Sequence, residues 1–379
     1  MECQRVVRRT FWTVIAFYIL IAFEFFYMAS PFAAYFYSVY GPGLKFFNQQ
    51  PALAWLGGMF LPHLAVETRS PLLDFRNILA AILATTGFLG FCVGAGQVYY
   101  RKLTRKGAAE GGVYKFIRHP QYLSLMVCSF GLLLFWPRFM VLLSFIAVLF
   151  AYYFLARLEE RECEEKFTDA YADYKNKTSM FLPFSIPFAH KLPRLPQQGV
   201  KRYLAILSIF VAALACAITL ATGVKYWSLN QIYAIYSKDF ACLSLTRLED
   251  DDMGRILKLS LNDIGVKKLF ANNKGAGTKF LNYIMPAKWD VSEIPMAPVE
   301  NIECGLHFFQ TGIGDGIYKI IFTKVDLRDP NAQGKEIVLN TVKRHPVAEA
   351  WVDINKNQVV AVKSPPADTR YGNIPLPIY

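Results

Sequence analysis

Before Gly223 the chain is built of long apolar runs, and after it the pattern changes to short mixed segments. The first run, residues 11–40, follows Arg5, Arg8 and Arg9. It is longer than a signal-peptide core and has no small-residue cleavage site, so it predicts a retained membrane span. Glu24 inside it is costly in lipid and either faces other helices or snorkels. Residues 52–66 are apolar but short, in a region punctuated by Pro42, Pro51, Pro62 and Pro71, which suits an interfacial or re-entrant segment. Residues 78–100 predict a second span, closed by Arg101-Lys102-Leu103-Thr104-Arg105-Lys106. Residues 123–135 and 139–155 are two further apolar helices split by Trp136-Pro137-Arg138, which stops a helix and suits an interface. They form a hairpin whose outer ends return to one membrane face. Residues 203–222 make a fifth span.

The tail from Lys225 alternates helix and strand signals. Residues 250–270 have helical periodicity behind an acidic start, favourable at the positive end of a helix dipole. Residues 306–310, 317–325, 336–342 and 350–362 read as strands, with turns at residues 312–316 and 355–357. The expected architecture is an α-helical integral membrane bundle of about five transmembrane helices with a C-terminal α+β soluble domain carrying an antiparallel sheet. Its divisions are 1–76, an N-terminal span and interfacial segment; 77–200, a core with the hairpin and a polar cap; 201–224, the fifth span; and 225–379, the soluble domain.

Composition agrees: 54% of residues are hydrophobic and 18% charged, with a mean hydropathy of +0.25. The formal charge of +12 would suit nucleic acid, but its placement beside the spans assigns it to membrane orientation instead. Basic clusters at residues 5–9, 101–106 and 166–177 mark the cytoplasmic face, and five spans starting inside place the tail on the other side. The seven cysteines show no metal-binding spacing. Cys242 and Cys304 in the tail are either a disulfide or two separate buried thiols.

Chemistry concentrates at the hairpin's outer ends. Gly112-Val113-Tyr114 and Arg118-His119-Pro120-Gln121-Tyr122 precede it, and Glu159-Glu160 follow it at the same depth. Successive helical residues point about 100° apart, so one glutamate can face the bundle while the other faces elsewhere. The bland reading is a positive-inside anchor with snorkelling acids. Arg344-His345-Pro346 repeats the tripeptide in the tail with no following Tyr or hairpin and is a coincidence.

In this order, with Phe167-Thr168-Asp169-Ala170-Tyr171, Tyr174 and Pro183 beyond the hairpin, these motifs resemble the isoprenylcysteine carboxyl methyltransferase family. Its superfamily includes phospholipid N-methyltransferases, and its members use S-adenosylmethionine. The resemblance covers residues 80–184. It implies that Tyr114, His119, Pro120, Gln121, Tyr122 and Glu159 surround the cofactor. The candidate catalytic residues beside them are Arg118, His119 and Glu160, and no metal is expected. Aromatic faces and a carboxylate suit a sulfonium cation in a water-poor site. Tyr171 and Tyr174 are expected to pack the polar cap.

The pattern departs from the family at three places. Ser124 replaces a glycine, Phe167-Thr168 stands for Phe-Gly, and Leu155 occupies the position of an arginine that binds the prenylcysteine carboxylate. Arg157 is expected on a different face. The resemblance therefore implies an integral membrane methyltransferase acting on a lipidic or hydrophobic acceptor that enters from the bilayer. The alternatives are a phospholipid or lipid-amine N-methyltransferase and a non-enzymatic membrane anchor for the tail. An amine acceptor must lose a proton, to Glu160 or His119. Gly94-Ala95-Gly96 near the end of the second span reads as close helix packing.

Overall fold

The computed structural model describes single positions between 15 and 32, residue 50, and residues 52–104, 111–183, 199–271, 277–291, 294, 296 and 316–366. The expected first span and the expected strand at 306–310 lie mainly or wholly outside them. The chain forms two compact units: residues 1–40, 78–135 and 140–217 in one, and 41–77, 136–139 and 218–379 in the other.

The first unit is helical. Its helices are α1 (Pro71–Leu103), α2 (Pro120–Phe135), α3 (Phe139–Lys177) and α4 (Val200–Leu229), with α1 and α4 running on into the second unit. Proline opens α1 and α2 at the first helical position, where its missing N–H would have no intrahelical partner and its fixed φ suits the helix. Arg101 and Lys102 sit in the last turn of α1, where positive charge complements the helix dipole. Among the described residues, α1, α3 and α4 are long and apolar enough to cross a membrane. The 16-residue α2 rises only about 24 Å, short of the ~30 Å hydrocarbon core. Three spans of the expected five thus meet the length test.

Small residues set the spacing of α1 and α2. A Cβ added to Gly131 would lie 2.5 Å from Ala84 N, one on Gly90 would lie 2.7 Å from Ser124 Oγ, and one on Gly87 would clash with Cys128 N. Farther along, a Cβ on Gly94 would come to 3.3 Å of Gln121 N. Positions 84, 87, 90 and 94 of one helix thus meet 131, 128, 124 and 121 of the other, an antiparallel small-residue seam. Ser124 fits where the family has glycine, and Gly94, but not Gly96, takes part in the packing.

The second unit is built on a six-stranded sheet in sequential order, β1 (Ala234–Tyr236), β2 (Phe240–Ser244), β3 (Lys279–Pro286), β4 (Ile317–Leu327), β5 (Thr341–Asp353) and β6 (Gln358–Lys363). The expected all-antiparallel sheet is corrected at one place: β2 and β3 pair in parallel. Parallel neighbours need a crossover, and helices α5 (Asp250–Asn262) and α6 (Ile264–Ala271) provide it. The helical pattern at 250–270 is therefore two helices. Asp263 separates them and caps the second, its Oδ1 accepting from Gly265 N at 2.7 Å and Val266 N at 3.1 Å.

Residues 336–342, expected as a strand, form mainly the short helix α7 (Lys335–Asn340). One face of the sheet packs Met253, Ile256 and Phe270 of the crossover helices. The other packs Ile337 and Val338 of α7 with Leu64, Trp289 and Ile294. Leu64 and Val66 belong to the strip expected at the membrane interface; here Val66 N donates to Leu245 O at 2.8 Å. The hairpin turn joins the same unit, with Phe60 N donating to Pro137 O at 2.9 Å and His63 stacked on Trp136. Cys242 is a buried free thiol on β2, its pKa pushed up by burial to about 12. Cys304 lies outside the described residues.

Candidate active site

The outer ends of the hairpin carry a dense polar cluster. Gly112, with a φ of 62°, opens a short 3-10 turn, Gly112–Lys115, in a conformation that favours glycine. That turn places Tyr114, whose hydroxyl donates to Gln121 Oε1 at 2.7 Å and approaches Gly94 O at 3.3 Å. Burial raises its pKa further from the range in which it would ionise. Tyr174 donates to Tyr114 O at 2.7 Å, and Tyr171 is buried beside it, so both tyrosines pack the cap as expected.

The chain leaving α3 then returns to the motif. Arg118 N donates to Ser179 O at 2.9 Å and His119 N to Met180 O at 3.1 Å. The Arg118 guanidinium meets Glu160 Oε1 at 2.7 Å and also donates to Lys175 O and Thr178 O. Both side chains of that ion pair are nearly inaccessible, at 8% and 2%. Glu160 has further cations within reach, Arg157 at 3.6 Å and Lys175 at 3.7 Å. Arg157 stands one helical turn before Glu160 on α3, the spacing that lets its side chain reach that carboxylate.

Glu159, pointing away from that knot, accepts a hydrogen bond from the Tyr122 hydroxyl. Its side chain stays 38% exposed. His119 lies between the two acids, Nδ1 3.4 Å from Glu159 and Nε2 3.6 Å from Glu160. These are ion-pair rather than hydrogen-bond distances, and both buried ring nitrogens lack a hydrogen bond. Burial alone would pull the histidine's pKa down, but the two carboxylates outweigh it and leave it above the ordinary value. The His119 ring stacks on Tyr122 with centroids 5.6 Å apart, and Tyr122 stacks on Tyr152 at 4.9 Å. Phe181 flanks His119 at 6.0 Å.

The structure thus brings Tyr114, Arg118, His119, Pro120, Gln121, Tyr122, Glu159 and Glu160 to one end of the hairpin. Pro120 opens α2 and is buried. Sequence reasoning missed Tyr152, Lys175, Thr178 and Phe181. Tyr152 stands two turns before Glu159 on α3, and that seven-residue spacing was the available signal. The second Arg-His-Pro is an exposed piece of β5, where His345 pairs across the strands with Asp326 at 2.9 Å.

These residues fit a sulfonium cofactor. A partly exposed carboxylate stands beside stacked aromatic rings, with His119 held between it and the neighbouring glutamate. Such a set attracts a cation and offers hydrogen bonds to a polar ligand. Among the described residues no group of three or more His, Cys, Asp or Glu side chains is placed to hold a metal. Searches of curated proteins and of solved structures returned no match. Residues 80–170, from the middle of α1 to near the end of α3, match the family model of the phospholipid methyltransferases, within the superfamily that also contains the isoprenylcysteine carboxyl methyltransferases, and this match implies a membrane methyltransferase.

Proposed function

We propose that this chain binds S-adenosylmethionine at the outer ends of the α2–α3 hairpin and methylates a lipidic or hydrophobic acceptor reaching the site from the bilayer. The observation that carries the reading is the contact of Tyr122 with Glu159 across the hairpin, with His119 stacked alongside. When bound, the cofactor supplies an electrophilic methyl group on a sulfonium. Tyr114, His119, Pro120, Gln121, Tyr122 and Glu159 would hold and orient it, Glu159 offering negative charge and the buried Tyr122 fixing that carboxylate through its hydroxyl. Positioning supplies most of the rate in an in-line displacement. Of the two candidate bases, Glu160 is neutralised by Arg118, so we assign proton removal from an amine to His119 Nδ1 or Nε2. Arg118 and Glu160 act by fixing the loop that carries His119.

Isothermal titration with S-adenosylhomocysteine tests the cofactor site. Glu159→Ala is expected to weaken binding by about 1–3 kcal/mol, the scale for losing a charged partner, in a protein that still folds. Unchanged affinity removes Glu159 from the site, and no binding by the wild-type chain favours the non-enzymatic anchor.

The acceptor follows from Leu155 and Arg157. Leu155 stands where a carboxylate-binding arginine would be, and the Arg157 guanidinium already faces Glu160. A carboxylate buried there without a partner would cost several kcal/mol, on the order of 100-fold or more in rate. An amine or thiol on an apolar body is therefore the preferred acceptor. Transfer of labelled methyl groups to phosphatidylethanolamine vesicles, a hydrophobic thiol and a farnesylcysteine analogue compares the three. Efficient labelling of the farnesylcysteine analogue alone overturns the assignment.

We also place the site on the cytoplasmic face and the tail across the membrane. The basic clusters support this. A Lys335→Cys variant should react with an impermeant thiol reagent on intact cells; reaction only after permeabilisation reverses the orientation.

A further inference from the structure

The tail holds a cavity that the methyl-transfer reading does not use. It lies between the crossover helices and the sheet, with a volume of about 410 Å³, within the range of small-molecule sites. Its walls are apolar: Phe240, Leu257, Leu261, Phe270, Phe280 and Phe322. Three polar side chains also line it: Asp239 is exposed, Thr278 half-buried and Asn282 buried. Asn282, in the middle of β3, is in register with Cys242 on one side and Phe322 on the other. It is 3% exposed, lines the cavity, and its Oδ1 accepts no hydrogen bond.

A buried amide oxygen without a donor destabilises a fold, and a leucine of similar size would avoid that cost at this strand position. The residue makes physical sense if something in the cavity donates to it. We infer that the tail domain binds a small neutral molecule with an apolar body and one hydroxyl, the hydroxyl pairing with Asn282. The apolar walls select the body. Neutrality follows from the one charged group among the described residues that line the cavity, Asp239, which is already paired with Lys279 at 2.7 Å. A hydroxyl gives and accepts, so it serves whichever way the amide is turned.

The test uses the full chain in lipid nanodiscs and fluorine NMR with three probes of one size: 4-fluorobenzyl alcohol, 4-fluorotoluene and 4-fluorobenzoate. Leu261→Trp, at a partly exposed position, fills the cavity and corrects for partition into lipid. The expected result is saturable binding of the alcohol that Leu261→Trp removes, about tenfold tighter than for either other probe, one buried hydrogen bond's worth. Asn282→Leu should erase that preference while leaving 4-fluorotoluene binding in place. No saturable binding sensitive to Leu261→Trp, or equal affinity for the alcohol and the toluene, overturns the inference. So does a folded Asn282→Leu protein that keeps the preference. Should that variant fail to fold, the ranking of probes on the wild-type chain and its loss in Leu261→Trp decide. None of these readings depends on methyl transfer.

Discussion

Replacing Arg118 by Leu should destabilise the helical unit by about 3–5 kcal/mol, the scale for removing one partner of a buried ion pair. The Arg118–Glu160 pair is 2.7 Å apart and almost fully enclosed. The same guanidinium also holds the carbonyls of Lys175 and Thr178. The substitution therefore leaves a buried carboxylate and releases the segment that pairs with residues 118 and 119. Arg157 and Lys175, both more exposed and at 3.6 and 3.7 Å, cushion the charge only in part, because their contacts are shared with water. Arg118→Lys keeps the charge without the planar fork and should fall between the two. A double Arg118→Leu, Glu160→Leu protein should recover most of the loss, since an apolar replacement of a buried pair is close to neutral. Thermal unfolding in detergent measures all three. A single Arg118→Leu variant as stable as the wild type would refute the account of the knot.

Recovery of stability by the double variant need not bring back activity, and that separation is informative. If Arg118 and Glu160 act by fixing the loop, cofactor affinity should follow stability. The contrast with Glu159 is physical. One glutamate is neutralised by cations and enclosed, while its neighbour is half-exposed and bonded to one phenol. Adjacent positions on a helix diverge by about 100°, so two equal side chains enter different surroundings.

That divergence was legible in the sequence, as were the hairpin and the residue types at its ends, because each depends on local pattern. Trp136-Pro137-Arg138 interrupts an otherwise continuous apolar stretch, and the acidic pair terminates one. Tyr152 was not legible in the same way. It is one aromatic among many within an apolar run, and its seven-residue spacing from Glu159 gains meaning only through the packing of Tyr122 against it. In the tail, β3 went unread because all eight of its residues are buried, and a strand covered on both faces has no alternation to detect. Ile337 and Val338 favour strands by propensity, yet they form a helix because that turn drops both into the core. The parallel pairing of β2 with β3 depends on residues about forty positions apart, beyond any local signal.

The small-residue seam gives a prediction whose sign depends on position along one helix pair. In an open helix, Gly→Ala gains up to about 1 kcal/mol, because alanine restricts the unfolded chain and glycine does not. Gly96 on α1 has nothing within 4 Å of an added Cβ, so Gly96→Ala should be neutral or stabilising. Gly131 on α2 faces backbone: its Cβ would lie 2.5 Å from Ala84 N and 2.8 Å from Ala80 O. Backbone cannot swing aside as a side chain does, so Gly131→Ala must push the two helices apart. The expected cost is about 1–3 kcal/mol by the usual scale of overpacking, and Gly131→Leu should exceed it. Separation at this seam would also move α1 against α2 near Gly94, whose carbonyl lies beside the Tyr114 hydroxyl and whose Cβ position meets Gln121. Gly131→Ala should therefore weaken S-adenosylhomocysteine binding measurably, although residue 131 lies about three turns from the site. Unfolding temperature and titration on the two variants provide the check. Equal effects of the same sign at 96 and 131 would mean that the seam does not set the helix spacing.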